Sequence, residues 1–100
     1  MSSSAEPVRH TATIVNERGL HARAAAKFVK LVETFDVAIT VERGGMAVGG
    51  LSIMGLMMLG AGPGTELQLT AAGPDAEAAI AALLGLIGRG FDEDISFSPG

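Results

Sequence analysis

The sequence contains no cysteine, tryptophan or tyrosine, and only four of its 100 residues are aromatic. Without cysteine, neither a disulfide framework nor a thiolate metal site can form, so packing alone must hold the chain together. The hydrophobic fraction is 48%, and because so few of these residues are aromatic, the core has to be built from Ala, Val, Ile, Leu and Met. The lack of disulfides suits a reducing compartment, and we expect the protein in the cytoplasm.

A chain of 100 residues has room for one compact domain, which excludes a second one. Its first six residues have no basic stretch followed by an apolar one, so no secretory signal is expected. We predict a disordered N-terminal tail at 1–7, one domain at 8–91 and an acidic C-terminal tail at 92–100.

The longest uncharged stretch, residues 44–65, is long enough to span a bilayer but contains eight glycines and a proline. Glycine costs roughly 1 kcal/mol relative to alanine inside a helix. The stretch therefore favours a strand, a turn and a short helix, and no membrane insertion is expected.

Charge is unevenly distributed along the chain, whose formal net charge is -4. Four basic residues and no acid lie between Arg18 and Lys30, whereas six acids and only Arg89 follow Gly44. The acidic balance argues against a nucleic-acid partner. The basic stretch fits an anionic ligand or an acidic partner, although ordinary solvation of a helix by Lys27 and Lys30 explains it as simply.

Hydrophobic periodicity predicts seven elements. They are a strand at 10–15, a helix at 22–35, strands at 37–42 and 46–48, a short helix at 52–59 capped by Ser52, a strand at 66–71, and a last helix capped by Asp75. Gly88 and Gly90 close the last helix, and Phe91 lies in line with its apolar face. Four short strands are stable only if amphipathic helices cover one face. The predicted class is α+β, an open-faced β-sandwich with a four-stranded antiparallel sheet and three helices on one face.

His21 lies where an irregular loop becomes the first helix. The first amides of a helix have no partner within it, so those of Ala22 and Arg23 are candidate donors to an anion. The Arg23 side chain could neutralise the charge of an arriving phosphoryl group. On these residues alone, His21 as a helix cap and Arg23 as a solvated side chain remain the simpler interpretation.

Two segments resemble the signatures of the HPr phosphocarrier family. The first matches the active-site signature at Asn16, Gly19, Leu20, His21, Ala22, Arg23, Ala25, Ala26, Phe28 and Val29, and the second matches at Ser52, Ile53, Met54, Gly55, Leu56, Met57 and Leu59. The resemblance extends over residues 8–91. Two motifs at the right separation make accidental agreement improbable.

The resemblance implies that His21 is the phosphorylated histidine and Arg23 the catalytic arginine. It implies Enzyme I as the phosphoryl donor, with A components of permeases or of a regulatory branch as acceptors. A carrier of this kind is not itself an enzyme, and we expect a monomer with no cofactor and no metal. His10 lies outside both motifs and receives no role.

The family's partner surface maps to Leu20, Ala26, Ile53, Met54 and Met57, although the same residues could instead be core. Ser52 corresponds to the regulatory serine that an HPr kinase phosphorylates in many members, or it serves only as a helix cap. Three departures from the family pattern, Ala24 for proline, Leu51 for lysine and Met58 for a small polar residue, leave the choice of partner open.

Two other functions are considered beside the carrier. The first is a regulatory binding module of the same fold, switched by phosphorylation at His21 or Ser52, which the sequence does not separate from a transport role. The second is a hydrolase that uses His21 as a general base. It is disfavoured because no nucleophile, second acid or metal set accompanies His21.

Overall fold

The structure is a computed structural model that describes residues 6–93. The tails expected at 1–7 and 92–100 therefore lie mostly outside the described residues. Within them the chain forms β1 (Val8–Thr13), α1 (Ala22–Val32), β2 (Ala38–Arg43), β3 (Met46–Gly49), α2 (Ile53–Met58), β4 (Glu66–Ala72), α3 (Ala76–Gly88) and a 3-10 turn (Gly90–Asp92). The predicted order of elements is confirmed.

The four strands form one antiparallel sheet in the order β1-β4-β2-β3. Alternation along the central strands separates its two faces, because Leu67 and Leu69 of β4 are buried while Glu66 and Gln68 are exposed. The helices cover the apolar face, where α3 packs on β1 and β4 and α1 packs on α2 and α3. The predicted open-faced sandwich with three helices is thus confirmed.

The core fills the space between this face and the helices. Helix α1 contributes Ala25, Phe28, Val29 and Val32, which recur at the spacing of one helical face. Helix α3 contributes Ile80, Leu83 and Ile87, and helix α2 contributes Leu56.

Two elements, β1 and α1, differ from the prediction by more than one residue. Strand β1 covers Val8–Thr13 and not 10–15, because Ile14 leaves the sheet to exchange backbone hydrogen bonds with Gly64 and Thr65. Helix α1 ends at Val32, three residues before the predicted end. Beyond it the amides of Thr34 and Phe35 donate to carbonyls three residues back, which tightens the last turn.

Two predictions for the last helix, the cap by Asp75 and the place of Phe91 on its apolar face, are wrong. Asp75 precedes α3 but makes no side-chain cap, since its carboxylate accepts a hydrogen bond from the Asp36 amide at 2.7 Å. Phe91 is not on α3, because Gly90 turns the chain with a φ of +66° and leads Phe91 into the 3-10 turn. Phe91 is nevertheless fully buried, so the chain remains packed beyond the helix.

Candidate functional site

A tight loop before α1 presents His21. Gly19 has a φ of +66°, and a Cβ placed there would lie 2.3 Å from the Ala61 carbonyl oxygen. The same oxygen accepts a 2.9 Å hydrogen bond from the Leu20 amide. Only glycine allows both the left-handed conformation and this close approach. The segment 60–64, which the sequence marks only as a turn, therefore supports the loop that ends at His21.

His21 is the N-cap of α1, and its two ring nitrogens have different partners. Nε2 lies 2.7 Å from Oε2 of Glu93, whereas Nδ1 accepts a longer 3.3 Å hydrogen bond from the Arg23 amide. A carboxylate can only accept, so Nε2 must carry a proton, and Nδ1 must hold the lone pair to accept from an amide. The contacts therefore define one neutral tautomer, with the proton on Nε2.

Glu93 is held at both carboxylate oxygens, since Nδ2 of Asn16 donates to Oε1 at 3.0 Å while His21 lies at Oε2. Partial burial raises the pKa of Glu93, but the hydrogen bonds from Asn16 and His21 and the electrostatic attraction of His21 and Lys27 outweigh burial. The pKa of Glu93 therefore lies below its ordinary value of 4.5, and the carboxylate is ionised at neutral pH.

The predicted anion donors are arranged differently from the expectation. The Arg23 amide does not point into open solvent, because it donates to Nδ1 of His21. The Arg23 side chain is exposed and, with Arg18, Glu17 and Glu93, lines a shallow cavity of about 290 Å³. Two arginines and two glutamates thus line this cavity, and one of the glutamates, Glu93, also contacts His21.

Helix α2 carries an exposed apolar surface. Leu56 and Leu59 are buried, as their spacing predicts, while Met54 is 70% exposed. We define the α2 patch by its exposed large side chains, which are Leu51, Ile53, Met54, Met57 and Met58. Ser52 caps this helix, since its Oγ accepts a 2.9 Å hydrogen bond from the Gly55 amide, and the residue is exposed.

Leu20 does not lie on the exposed surface where the predicted partner-binding residues are expected. Its side chain is only 5% exposed and belongs to the core, because the bond from its amide to Ala61 draws the loop inward. Ala26, also expected at that surface, is half-buried on α1. The exposed part of the predicted surface is thus carried by α2.

Sequence reasoning misses three residues at the site. Glu93 falls in the predicted C-terminal tail, Asn16 enters only as a motif match, and Lys27 is expected to face solvent. In the structure Lys27 is half-buried, and its Nζ donates to the Phe91 carbonyl at 2.7 Å. These contacts join residues 64 to 77 positions apart, so no local pattern reveals them.

Residues 6–93 contain neither a membrane-spanning helix nor a metal-binding cluster. No helix there is long and apolar enough to cross a bilayer. Nor are three His, Asp or Glu side chains of this part of the chain grouped closely enough to bind a metal ion.

Comparison with known proteins identifies the family. The family model described as "PTS HPr component phosphorylation site" matches residues 8–89, which include Asn16, His21 and Arg23 but not Glu93. The chain belongs to the HPr family. The phosphocarrier protein HPr of Cupriavidus necator is 47% identical over 81 residues, covering 81% of this chain and 91% of that protein.

Further relatives have a similar length and the same fold. The phosphocarrier protein NPr of Shewanella violacea is 43% identical over 81% of this chain and 89% of its own length. The crystal structure of HPr from Thermoanaerobacter tengcongensis superposes with a TM-score of 0.83 at 43% identity, covering 88% of this chain and 99% of that one. Membership in the HPr family gives the chain a phosphocarrier role in the phosphotransferase system, as a carrier and not a catalyst.

Proposed function

We propose that this HPr-family protein accepts a phosphoryl group on Nδ1 of His21 from Enzyme I and passes it to an A component that serves sugar uptake or regulation. The observation that carries the proposal is that the two ring nitrogens of His21 have different partners. Nε2 is fixed at 2.7 Å from Glu93, whereas Nδ1 has only the 3.3 Å contact with the Arg23 amide. Nδ1 is therefore the nitrogen with an available lone pair.

The transfer step follows from that arrangement. The Nδ1 lone pair forms the new bond to phosphorus as the bond between phosphorus and the donor breaks, and the donor keeps that electron pair. No proton has to leave His21, because the only ring proton is on Nε2. The Arg23 amide, displaced from Nδ1, becomes free to donate to a phosphoryl oxygen at the N-terminus of α1.

The guanidinium of Arg23 supports the same step. It is exposed on the first turn of α1, beside the cavity that it shares with Arg18. A positive group in that place stabilises the negative charge of the phosphoryl oxygens as the group arrives and leaves.

The α2 patch is proposed as the docking surface for Enzyme I and for the acceptor. Exposed apolar side chains in one contiguous helix mark interaction surfaces, and flexible methionines adapt to more than one partner. A single copy of the chain holds every group that the step uses. We therefore propose that it acts as a monomer, in the cytoplasm where phosphoenolpyruvate is available to charge Enzyme I.

A regulatory role is the second candidate, favoured by the exposure of Ser52 beside Ile53 and Met54 of the α2 patch. A phosphate placed on Ser52 by an HPr kinase would add about -1.5 to -2 charges at the edge of an apolar docking surface. Such a modification would weaken docking without touching His21.

Incubation with Enzyme I and phosphoenolpyruvate tests the proposal. We expect the intact mass to rise by one phosphoryl group that acid removes, since a phosphoimidazole is acid-labile. His21→Ala should abolish this adduct, while His10→Ala, which alters the exposed histidine of β1, should retain it. An acid-stable adduct, or an adduct that survives in His21→Ala, would refute the proposal.

A further inference from the structure

The segment after α3 has an unusual backbone. Gly90, Phe91 and Asp92 have φ values of +66°, +55° and +62°, so three successive residues adopt the left-handed conformation. For residues other than glycine this conformation is unfavourable and persists only where surrounding contacts enforce it. The segment is therefore held in place by specific interactions.

Two anchors enforce this conformation. The Phe91 side chain is fully buried, and its carbonyl accepts the 2.7 Å hydrogen bond from Nζ of Lys27 on α1. Their effect is to bring Glu93 against His21, although the two residues are 72 positions apart in the sequence. The side chains of His21 and Glu93 are each only 17% exposed, so water screens this contact weakly.

Asn16 fixes the carboxylate from the other side. Its amide nitrogen donates both to the Gly19 carbonyl at 2.8 Å and to Oε1 of Glu93 at 3.0 Å. Since both partners are acceptors, the nitrogen and not the oxygen of the amide must face them. The loop that presents His21 and the carboxylate that contacts it are thus joined through one side chain.

We propose that Glu93 is a positioning residue for phosphoryl transfer, which holds the proton of His21 on Nε2 and so selects Nδ1 as the phosphoryl acceptor. This inference rests on the function proposed above. Glu93 contacts neither the donor nor the phosphoryl group in that scheme, and it acts only through the imidazole ring.

The electrostatics give Glu93 a second effect within the same step. As the Nδ1 to phosphorus bond forms, the ring becomes positively charged while its Nε2 proton stays in place. The ionised carboxylate next to Nε2 stabilises that charge and keeps the proton bound. Loss of the carboxylate therefore raises the free energy of the transition state for transfer without removing any docking contact on α2.

A purely structural role for Glu93, as an anchor for the C-terminal segment, makes a different prediction. An anchor would affect the melting temperature and leave the tautomer of His21 and the chemical step unchanged. The tautomer is measurable by nitrogen-15 NMR of the two ring nitrogens, and that measurement needs no partner protein.

The test compares Glu93→Gln with Asp92→Asn in the full chain. Each change removes one negative charge and keeps the shape of the side chain, but within residues 6–93 the Asp92 carboxylate pairs with the exposed Arg89 and not with His21. Asparagine also tolerates the left-handed conformation of residue 92. We expect wild type and Asp92→Asn to show the Nε2-protonated tautomer, and Glu93→Gln a mixture of tautomers.

The kinetic part measures phosphorylation by purified Enzyme I and phosphoenolpyruvate. In Glu93→Gln we expect kcat to fall about tenfold, equivalent to about 1.4 kcal/mol, with KM nearly unchanged. Glu93→Asp should recover less than wild-type activity because its shorter side chain cannot reach both partners. Asp92→Asn should stay within about twofold of wild type, a difference below about 0.5 kcal/mol.

The outcomes separate the two proposals. If Glu93→Gln keeps the wild-type tautomer, or keeps the wild-type kcat, the positioning role is refuted while the carrier function stands. If wild type itself is not phosphorylated on His21, the carrier function fails and the role of Glu93 in transfer fails with it. A loss confined to KM would place Glu93 in docking and would also refute the inference.

Discussion

The proposed chemistry of this protein depends on the unequal environments of the two ring nitrogens of His21. Nε2 of His21 has a 2.7 Å contact with Glu93, whereas Nδ1 has only a longer 3.3 Å hydrogen bond from the Arg23 amide, which a phosphoryl group could replace. In the proposed function, the contact at Nε2 orients the ring and Nδ1 is the nitrogen that reacts. The use of a carboxylate to orient a histidine follows the logic of catalytic triads, here without an adjacent nucleophile.

Removal of the Arg23 side chain tests its role in stabilising the charge of the phosphoryl group. Arg23→Ala should slow phosphorylation by Enzyme I by about 100-fold, the effect of removing one charge-stabilising group from a transfer site. Its free energy of unfolding should change by less than about 0.5 kcal/mol, because the side chain is exposed. Arg9→Ala, an exposed arginine on β1, is the control and should leave both quantities unchanged. Wild-type transfer rates in Arg23→Ala would reduce Arg23 to a solvated residue.

At the scale of elements, the loop before α1 depends on Gly19. Gly19→Ala should lower the melting temperature by roughly 10 °C, since the left-handed strain of about 1–2 kcal/mol adds to a clash with Ala61. Gly44→Ala is the matched control, because Gly44 has a φ of +57° and a Cβ added there would meet no atom within 4 Å. It should lose only the strain contribution. Equal losses in the two variants would show that the contact with Ala61 is unimportant.

Ser52, at the N-terminus of α2, allows a test of docking on the α2 patch. Ser52→Asp should fold normally because aspartate is a good N-cap, and it should raise the KM for Enzyme I because a charge borders the α2 patch. Ser52→Asn, which caps the helix without charge, should retain the wild-type KM. A collapse of the melting temperature in Ser52→Asp would make Ser52 a structural cap alone, and an unchanged KM would place docking elsewhere.

The elements are predictable where the pattern is local. The stripe of α1 and the alternation of β4 are dictated by periodicities of 3.6 and 2 residues, and they appear in the structure at nearly the predicted positions. The burial of Leu20 is not predictable in this way because it depends on the distant Ala61 carbonyl. Glu93 escapes sequence reasoning because Gly88 and Gly90 signal only that α3 ends, and not that the chain after it returns to His21.

At the scale of the whole molecule, Glu93 links the segment after α3 to the loop before α1, and we expect it to make stability depend on pH. Its pKa is lower in the folded state than the ordinary 4.5, so its contribution to stability is complete above that pH and is lost as the pH falls through the lower value. Asn16 and His21 hydrogen-bond to the carboxylate, the charge of Lys27 also lowers its pKa, and Glu17, Arg18 and Arg23 line the cavity beside it.

Thermal melting across pH checks this dependence. Glu93→Gln should melt below wild type at pH values above 4.5, and the gap should close as the pH drops further. Asp92→Asn should show no comparable closing, since its carboxylate pairs with Arg89 at the exposed surface. A gap for Glu93→Gln that is independent of pH would contradict the ionised contact.

The central claim, that His21 carries the phosphoryl group on Nδ1, has one direct measurement. The nitrogen-15 NMR spectrum of the protein phosphorylated by Enzyme I and phosphoenolpyruvate reports which ring nitrogen is bonded to phosphorus. The account predicts a one-bond coupling between phosphorus-31 and Nδ1 of His21, with a proton retained on Nε2. Coupling to Nε2 of His21, or to either nitrogen of His10, would contradict it.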